Sequence, residues 1–188
     1  MTQQGRQPHL VVDNDISLFL VEEQDAEPLY RLVDANRAHL REWLPWLDGT
    51  QSVEDERAFI HRTQQQYKNG EGLSCLISYR DEVAGTIGFH GLNWINRQVE
   101  IGYMLGKSFE GKGIMTRSCR TMVDYAFRAL NVNRVQIRCA TGNVRSCAVP
   151  QRLGFTREGV VRQAEWLYDR FVDLVVYSML VEEWQGES

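Results

Sequence analysis

Nowhere does this sequence hold an apolar run near the roughly 18 residues that a membrane-spanning helix requires. Its opening, Met1-Thr2-Gln3-Gln4-Gly5-Arg6, lacks the apolar stretch of a signal peptide, which places the protein in the cytoplasm with no membrane partner. Cysteine is sparse: Cys75, Cys119, Cys139 and Cys147 show no C-x-x-C spacing and sit in apolar segments, so buried reduced thiols are expected. The four histidines (His9, His39, His61, His90) are scattered and form no H-E-x-x-H, so no metal site is expected. Positive charge is not in excess either. With 21 Lys and Arg against 25 Asp and Glu, the formal charge is −4, which argues against direct nucleic-acid binding through bulk charge. No repeat, low-complexity tract or Pro/Gly/Ser linker divides the chain, and 188 residues suit one domain spanning 1–188, with about 1–9 as a polar tail.

What is present is the balance of a globular protein, 43% hydrophobic and 24% charged. Ile16 to Val21 alternates as a strand. Asp25 caps a helical stretch carrying Leu29, Leu32 and Val33, a further turn carries Leu40, Trp43 and Leu44 before Pro45, and Ser52 caps a helix that Asn69-Gly70 ends. Three strands follow, Leu73–Tyr79 and Val83–His90 as a hairpin, then Val99–Leu105. The clearest helix carries Met115, Cys119, Met122, Val123, Ala126, Phe127 and Leu130 as a stripe. After a strand at Val135–Cys139, a short helix is expected to start near Ser146, because proline at 150 is best tolerated in a first turn, with Gly154 as its cap. Two strands from Phe155 and Phe171 end the chain. Hairpins beside crossover helices give an α/β fold with a mixed sheet.

Between the third of those strands and the long helix lies Glu110-Gly111-Lys112-Gly113-Ile114-Met115-Thr116. Glycines there can simply reverse the chain, or can bring free first-turn N–H groups close to phosphate oxygens. Two nucleotide motifs fail. Gly102 to Ser108 is one residue short of G-x-x-x-x-G-K-S/T, and Gly111 and Gly113 are followed by Thr116 where G-x-G-x-x-G needs a glycine, with no acid ending the next strand.

The turn is similar to the pyrophosphate loop of the GNAT acetyltransferases, Q/R-x-x-G-x-G/A, with Gly113 at the central glycine, Glu110 at the Gln/Arg position and Met115 at the small position. Its form, Phe109 to Thr116, resembles the ribosomal-protein (RimJ/RimL-type) branch. Asn96 to Tyr103 resembles the family's fourth strand, Asn143-Val144-Arg145-Ser146 with Arg152-Leu153-Gly154-Phe155 resembles its N-x-x-S…LGF segment, and Leu40 to Leu47 resembles the branch's acceptor-bordering helix pair. The resemblance implies a mostly antiparallel mixed sheet splayed at its centre, with helices on both faces. It implies acetyl-CoA as cosubstrate, gripped by Gly111, Lys112, Gly113, Ile114, Met115 and Thr116, met along the pantetheine by backbone of Met104 and Leu105, and bonded by Asn143 and Ser146. A homodimer is also family habit.

Acyl transfer to an amine needs a neutral amine, a polarised thioester carbonyl and a departing thiolate. Glu100 interrupts the apolar strand Val99-x-Ile101-x-Tyr103-x-Leu105, where a poorly solvated carboxylate suits a base or an orienter of water; the plainer reading is a strand face open to water. Ser146 is the candidate donor to the leaving sulfur, or simply a helix N-cap, and Asn143 a pantetheine contact or a turn residue. Cys147 has no His or Asp partner in sequence for covalent catalysis. Trp43, Trp46, Trp94, Trp166 and Tyr168 read as core or as acceptor-cleft lining. The expected acceptor is the N-terminal α-amine of a ribosomal protein, with a small amine such as an antibiotic or polyamine as the alternative, and a CoA-binding sensor without turnover as the reading from another class.

Overall fold

The computed structural model describes residues 6, 7 and 9–185. Most of the expected tail lies outside these, but Arg6 is held on Asp25 by paired hydrogen bonds of 3.0 and 2.9 Å. Eight strands form one sheet: β1 (Leu10–Val11), β2 (Ile16–Leu20), β3 (Leu73–Tyr79), β4 (Glu82–Asn93), β5 (Gln98–Leu105), β6 (Arg134–Ala140), β7 (Thr156–Leu167) and β8 (Arg170–Leu180), in the order β1-β2-β3-β4-β5-β6-β8-β7. Every pairing is antiparallel except β5 with β6. The helices are α1 (Ala26–Ala35), α2 (Arg37–Arg41), α3 (Val53–Lys68), α4 (Ile114–Arg128) and α5 (Val144–Arg152).

Strand periodicity splits the core in two. Cys75, Ile77, Ile87, Phe89, Val99, Ile101, Val135 and Ile137 face α4 and α5 and pack with Met122 and Val123. Leu76 and Met104 face the other way, onto Leu29, Val33 and Ile60 of α1 and α3. The sheet is therefore covered by helices on both faces.

The expected splay is at β5 and β6. They pair over only three positions, Gln98 with Arg134, Val99 with Val135 and Glu100 with Gln136; beyond these, β6 pairs only with β8, while β5 stays with β4. Gly106 N–H donates to the Ala84 carbonyl, which sets the alternation along β5. Met104 turns its main-chain groups to β4, and Tyr103 and Leu105 turn theirs into the gap.

Two expectations change. Asp25 precedes α1, but its carboxylate accepts from Arg6 and from the Glu22 N–H rather than capping the first turn of that helix. The short helix α5 begins at Val144, and Pro150 lies inside it rather than in its first turn. A proline there removes the bond that would reach the carbonyl four residues back, that of Ser146. Tyr103 Oη donates to this carbonyl instead, at 3.1 Å, across the gap between β5 and α5. Asn143, not Ser146, is the cap: its Oδ1 accepts from the Ser146 N–H at 3.0 Å. Ser52 caps α3 as expected, and all four cysteines are buried and free.

Candidate functional site

Two cavities open from the splay and meet. One, about 920 Å³, lies between the N-terminal ends of α4 and α5; the other, about 700 Å³, lies on the α1/α3 face of the sheet. Both are lined by Trp43, Leu44, Tyr103, Met104, Asn143 and Ser146, so the two join at the end of β5.

The larger cavity reaches the opening of α4. Gly113 is the residue before the helix, at φ 71°, a left-handed conformation that glycine alone adopts without strain, and no side chain caps the first turn. The first intrahelical bond runs from Arg117 N–H to Gly113, which leaves the N–H groups of Ile114, Met115 and Thr116 for a ligand. Ile114 and Met115 bury their side chains in the core, so these residues can offer only main chain. This is a diphosphate-sized nest with the positive end of a helix behind it.

Lys112 is not brought in. Its ammonium rests over the rings of Tyr79 and Phe109, at 5.5 and 5.4 Å. Arg117, Arg145 and Arg152 line the cavity instead; Arg117 is paired with Asp13 and Arg145 with Glu110, which leaves Arg152 without an ion pair among the described residues. Glu110, a carboxylate beside a phosphate nest, is paired with Arg145 of α5 and lies 3.0 Å from His39 Nε2. Arg145 and Arg152 stand in the N-x-x-S…LGF segment with no role assigned from sequence, and Arg117 was missed; basic residues flanking a phosphate loop were the available signal.

The smaller cavity is polar on its sheet side. Glu100 does not stand isolated among apolar neighbours: Arg138 Nε and Gln136 Nε2 donate to its Oε2 at 2.8 and 3.1 Å, and Oε1 has no partner among the described residues. Glu165, from β7, lines the same cavity, and burial raises its pKa, with Arg138 opposing and Glu100 adding to the shift. His90, paired with Glu100 across β4 and β5, lays its ring on Gly102, where a Cβ would sit 2.6 Å from Nε2. Lost hydration lowers the His90 pKa against the pull of Glu100, favouring neutral imidazole. Glu165, Arg138 and His90 were missed in sequence, because each sits in a strand whose partners only the sheet order reveals.

Ser146 stands at the junction. Its Oγ lies 3.2 Å from Tyr103 Oη and donates to Cys139 Sγ at 3.2 Å. Cys147 turns its thiol to the Ala140 carbonyl. Among the described residues, no cluster of His, Cys, Asp and Glu could hold a metal ion, and no helix is long and apolar enough to cross a membrane.

An anion nest leading to free strand amides and then to carboxylates is the layout of a coenzyme A-dependent acyltransferase. The comparisons agree. Residues 16–156 match the acetyltransferase (GNAT) domain. YdaF of Bacillus subtilis (strain 168), named as a candidate ribosomal N-acetyltransferase, is 40% identical over 178 residues, 94% of this chain and 97% of its own. The ribosomal-protein-serine acetyltransferase of Escherichia coli (strain K12) is 30% identical over 171 residues, 91% and 96%. Among solved structures, RimL, the ribosomal L7/L12 alpha-N-protein acetyltransferase in complex with coenzyme A, superposes with a TM-score of 0.89 at 31% identity, covering 92% of this chain and 98% of its own. The chain belongs to the GNAT acetyltransferase family, and its activity is N-acetyl transfer from acetyl-CoA.

Proposed function

We propose that the protein acetylates the N-terminal α-amine of a protein, with ribosomal proteins as the substrate class, by direct attack on acetyl-CoA in a ternary complex. The junction of the two cavities at Tyr103 and Ser146 carries this reading, since it lets donor and acceptor meet without an enzyme-bound acetyl. The substrate class rests on the relatives named for ribosomal proteins.

An α-amine, with a pKa near 8, is roughly a tenth neutral at pH 7, so a carboxylate of modestly raised pKa suffices as its base. Glu165 takes the ammonium proton. Glu100, fixed by Arg138 and Gln136, orients the amine or an intervening water with its free Oε1. The Leu105 N–H, facing the gap, polarises the thioester carbonyl. Ser146 Oγ, beside Tyr103 Oη, turns its single hydrogen from Cys139 Sγ to the leaving sulfur, and the amide nitrogen of Asn143, without a partner among the described residues, is free for the pantetheine. The amides of Ile114, Met115 and Thr116, with the left-handed backbone at Gly111 and Gly113, grip the diphosphate.

Mass spectrometry after incubation with acetyl-CoA tests this. Peptides with free ribosomal-protein N-termini should gain one acetyl at the α-amine, and the same peptides with blocked N-termini none. Acetylation of polyamines or aminoglycosides alone would remove the protein-substrate reading. Absence of acceptor-dependent thiol release with every amine would leave a CoA-binding sensor.

A further inference from the structure

Glu56 lies one turn into α3, is 3% exposed, and lines the acceptor cavity. Among the described residues its carboxylate has no hydrogen-bond or ion-pair partner. Its oxygens keep only the little surface that opens into the cavity, and a carboxylate so poorly hydrated, without a donor or a cation, is costly where an apolar residue would not be.

The charged neighbours do not relieve it. Asp55, the adjacent residue on α3, adds like charge. Arg62, also on α3, carries its guanidinium 5.9 Å from the Phe59 ring. From the sheet, His90, Glu100, Arg138 and Glu165 face the same cavity, with Arg138 already bonded to Glu100. From α1 only Leu29 lines the cavity. The missing partner is a cation, and the space in front of Glu56 belongs to the acceptor.

Position decides which cation. Helix α3 packs on β3, and Ser74 of β3 is in register with Gly88 of β4 and Gly102 of β5. Ser74 and Gly102 line the same cavity as Glu56, and β3 and β5 are two strand spacings, roughly 10 Å, apart. A group seated on Glu56, under the helix that packs on β3, is taken to lie about that far from an amine attacking beside β5. That is too far for the reacting amine itself. It matches a lysine or arginine side chain just behind an N-terminus, or the far ammonium of a polyamine.

We infer that Glu56 receives a second positive charge of the acceptor, so that the enzyme selects amines bearing another ammonium or guanidinium roughly 10 Å from the nitrogen it acetylates. This rests on the transferase reading above and narrows it. Burial, with Asp55 beside it, lifts the Glu56 pKa to about 7. At neutral pH the side chain is thus about half protonated, and a bound cation expels that proton.

Calorimetry on the CoA-saturated enzyme at pH 7 tests the assignment apart from turnover. The probes are Ser-Lys-Gly amide, Ser-Ala-Gly amide and spermidine, each in two buffers of different ionisation enthalpy. The lysine peptide or spermidine should bind at least tenfold more tightly than the alanine peptide and release about half a proton more. Glu56→Gln should remove both differences, with retained CoA affinity showing that the variant is folded. A preference for the lysine peptide names a protein acceptor, and one for spermidine alone names a small amine; either supports the role of Glu56. Equal binding of all three, no binding of any, or a preference that survives Glu56→Gln overturns it. Failure of the wild type to acetylate any probe sinks the transferase reading separately, because the binding comparison does not depend on turnover.

Discussion

A carboxylate can take a proton from an ammonium only while it is itself charged, so with Glu165 as the proposed base its environment would set the working pH. Burial raises its pKa and Arg138 moderates the rise. The rate should therefore climb with pH as Glu165 deprotonates, before the amine's own titration takes over. Glu165→Gln should lower kcat/KM by about 100-fold or more and remove that acid limb from the pH profile measured by initial rates. Glu56 gives a prediction of the opposite sign, on stability. Its pKa is about 7 in the fold against 4.5 for the free side chain, so the folded state holds the proton more tightly. The stability linked to that proton is complete below pH 4.5 and is lost as pH rises through about 7, by at most about 3 kcal/mol. Glu56→Gln should raise the melting temperature at pH 8 and leave it near the wild-type value at pH 5.

At the scale of elements, the working parts are held by helix ends and one bridge. Pro150, lacking an N–H, frees the Ser146 carbonyl, and the Tyr103 hydroxyl takes it while also touching Ser146 Oγ. One tyrosine thus joins β5 to α5 where the sheet itself no longer connects β5 to β6, and it aims the serine. Tyr103→Phe deletes both contacts but keeps the ring. The expected loss in unfolding free energy is small, about 1 kcal/mol, because the freed carbonyl sits in a cavity that water can enter. The loss in kcat should be larger than the change in KM for acetyl-CoA, since the α4 nest proposed to hold the diphosphate is untouched. Denaturant melts and steady-state kinetics on the same variant separate the two effects. Equal losses in both would mean that the bridge serves only folding.

Across the whole molecule, what the sequence made legible was local. The Ser52 cap, the Gly154 stop, the stripe from Met115 to Phe127 and the loop around Gly113 follow from neighbours a few residues apart, and the structure places each as expected. Strand adjacency is different in kind. Glu165 reaches the acceptor cavity because β7 pairs with β8 and β8 with β6, and the charge-rich strand β7 carries no mark of that. Residues 10 and 11 form a strand too short to show a period, and Pro150 obeyed a bond from a strand 47 residues earlier rather than the rule for helix starts. The same long-range assembly bears on whether an acetyl-enzyme can form. An acetyl-enzyme would need a nucleophile at the junction, where Ser146 and Cys139 stand. Burial pushes the Cys139 thiol up to about 12, and Ser146 Oγ is occupied by Tyr103 and Cys139, with no histidine or carboxylate bonded to it. Neither is an activated nucleophile. This agrees with the direct transfer proposed above, in which both substrates are bound together, so double-reciprocal plots at several fixed acceptor concentrations should intersect. Rapid mixing with acetyl-CoA alone should release no coenzyme A, and parallel lines or a burst of thiol stoichiometric with enzyme would overturn direct transfer.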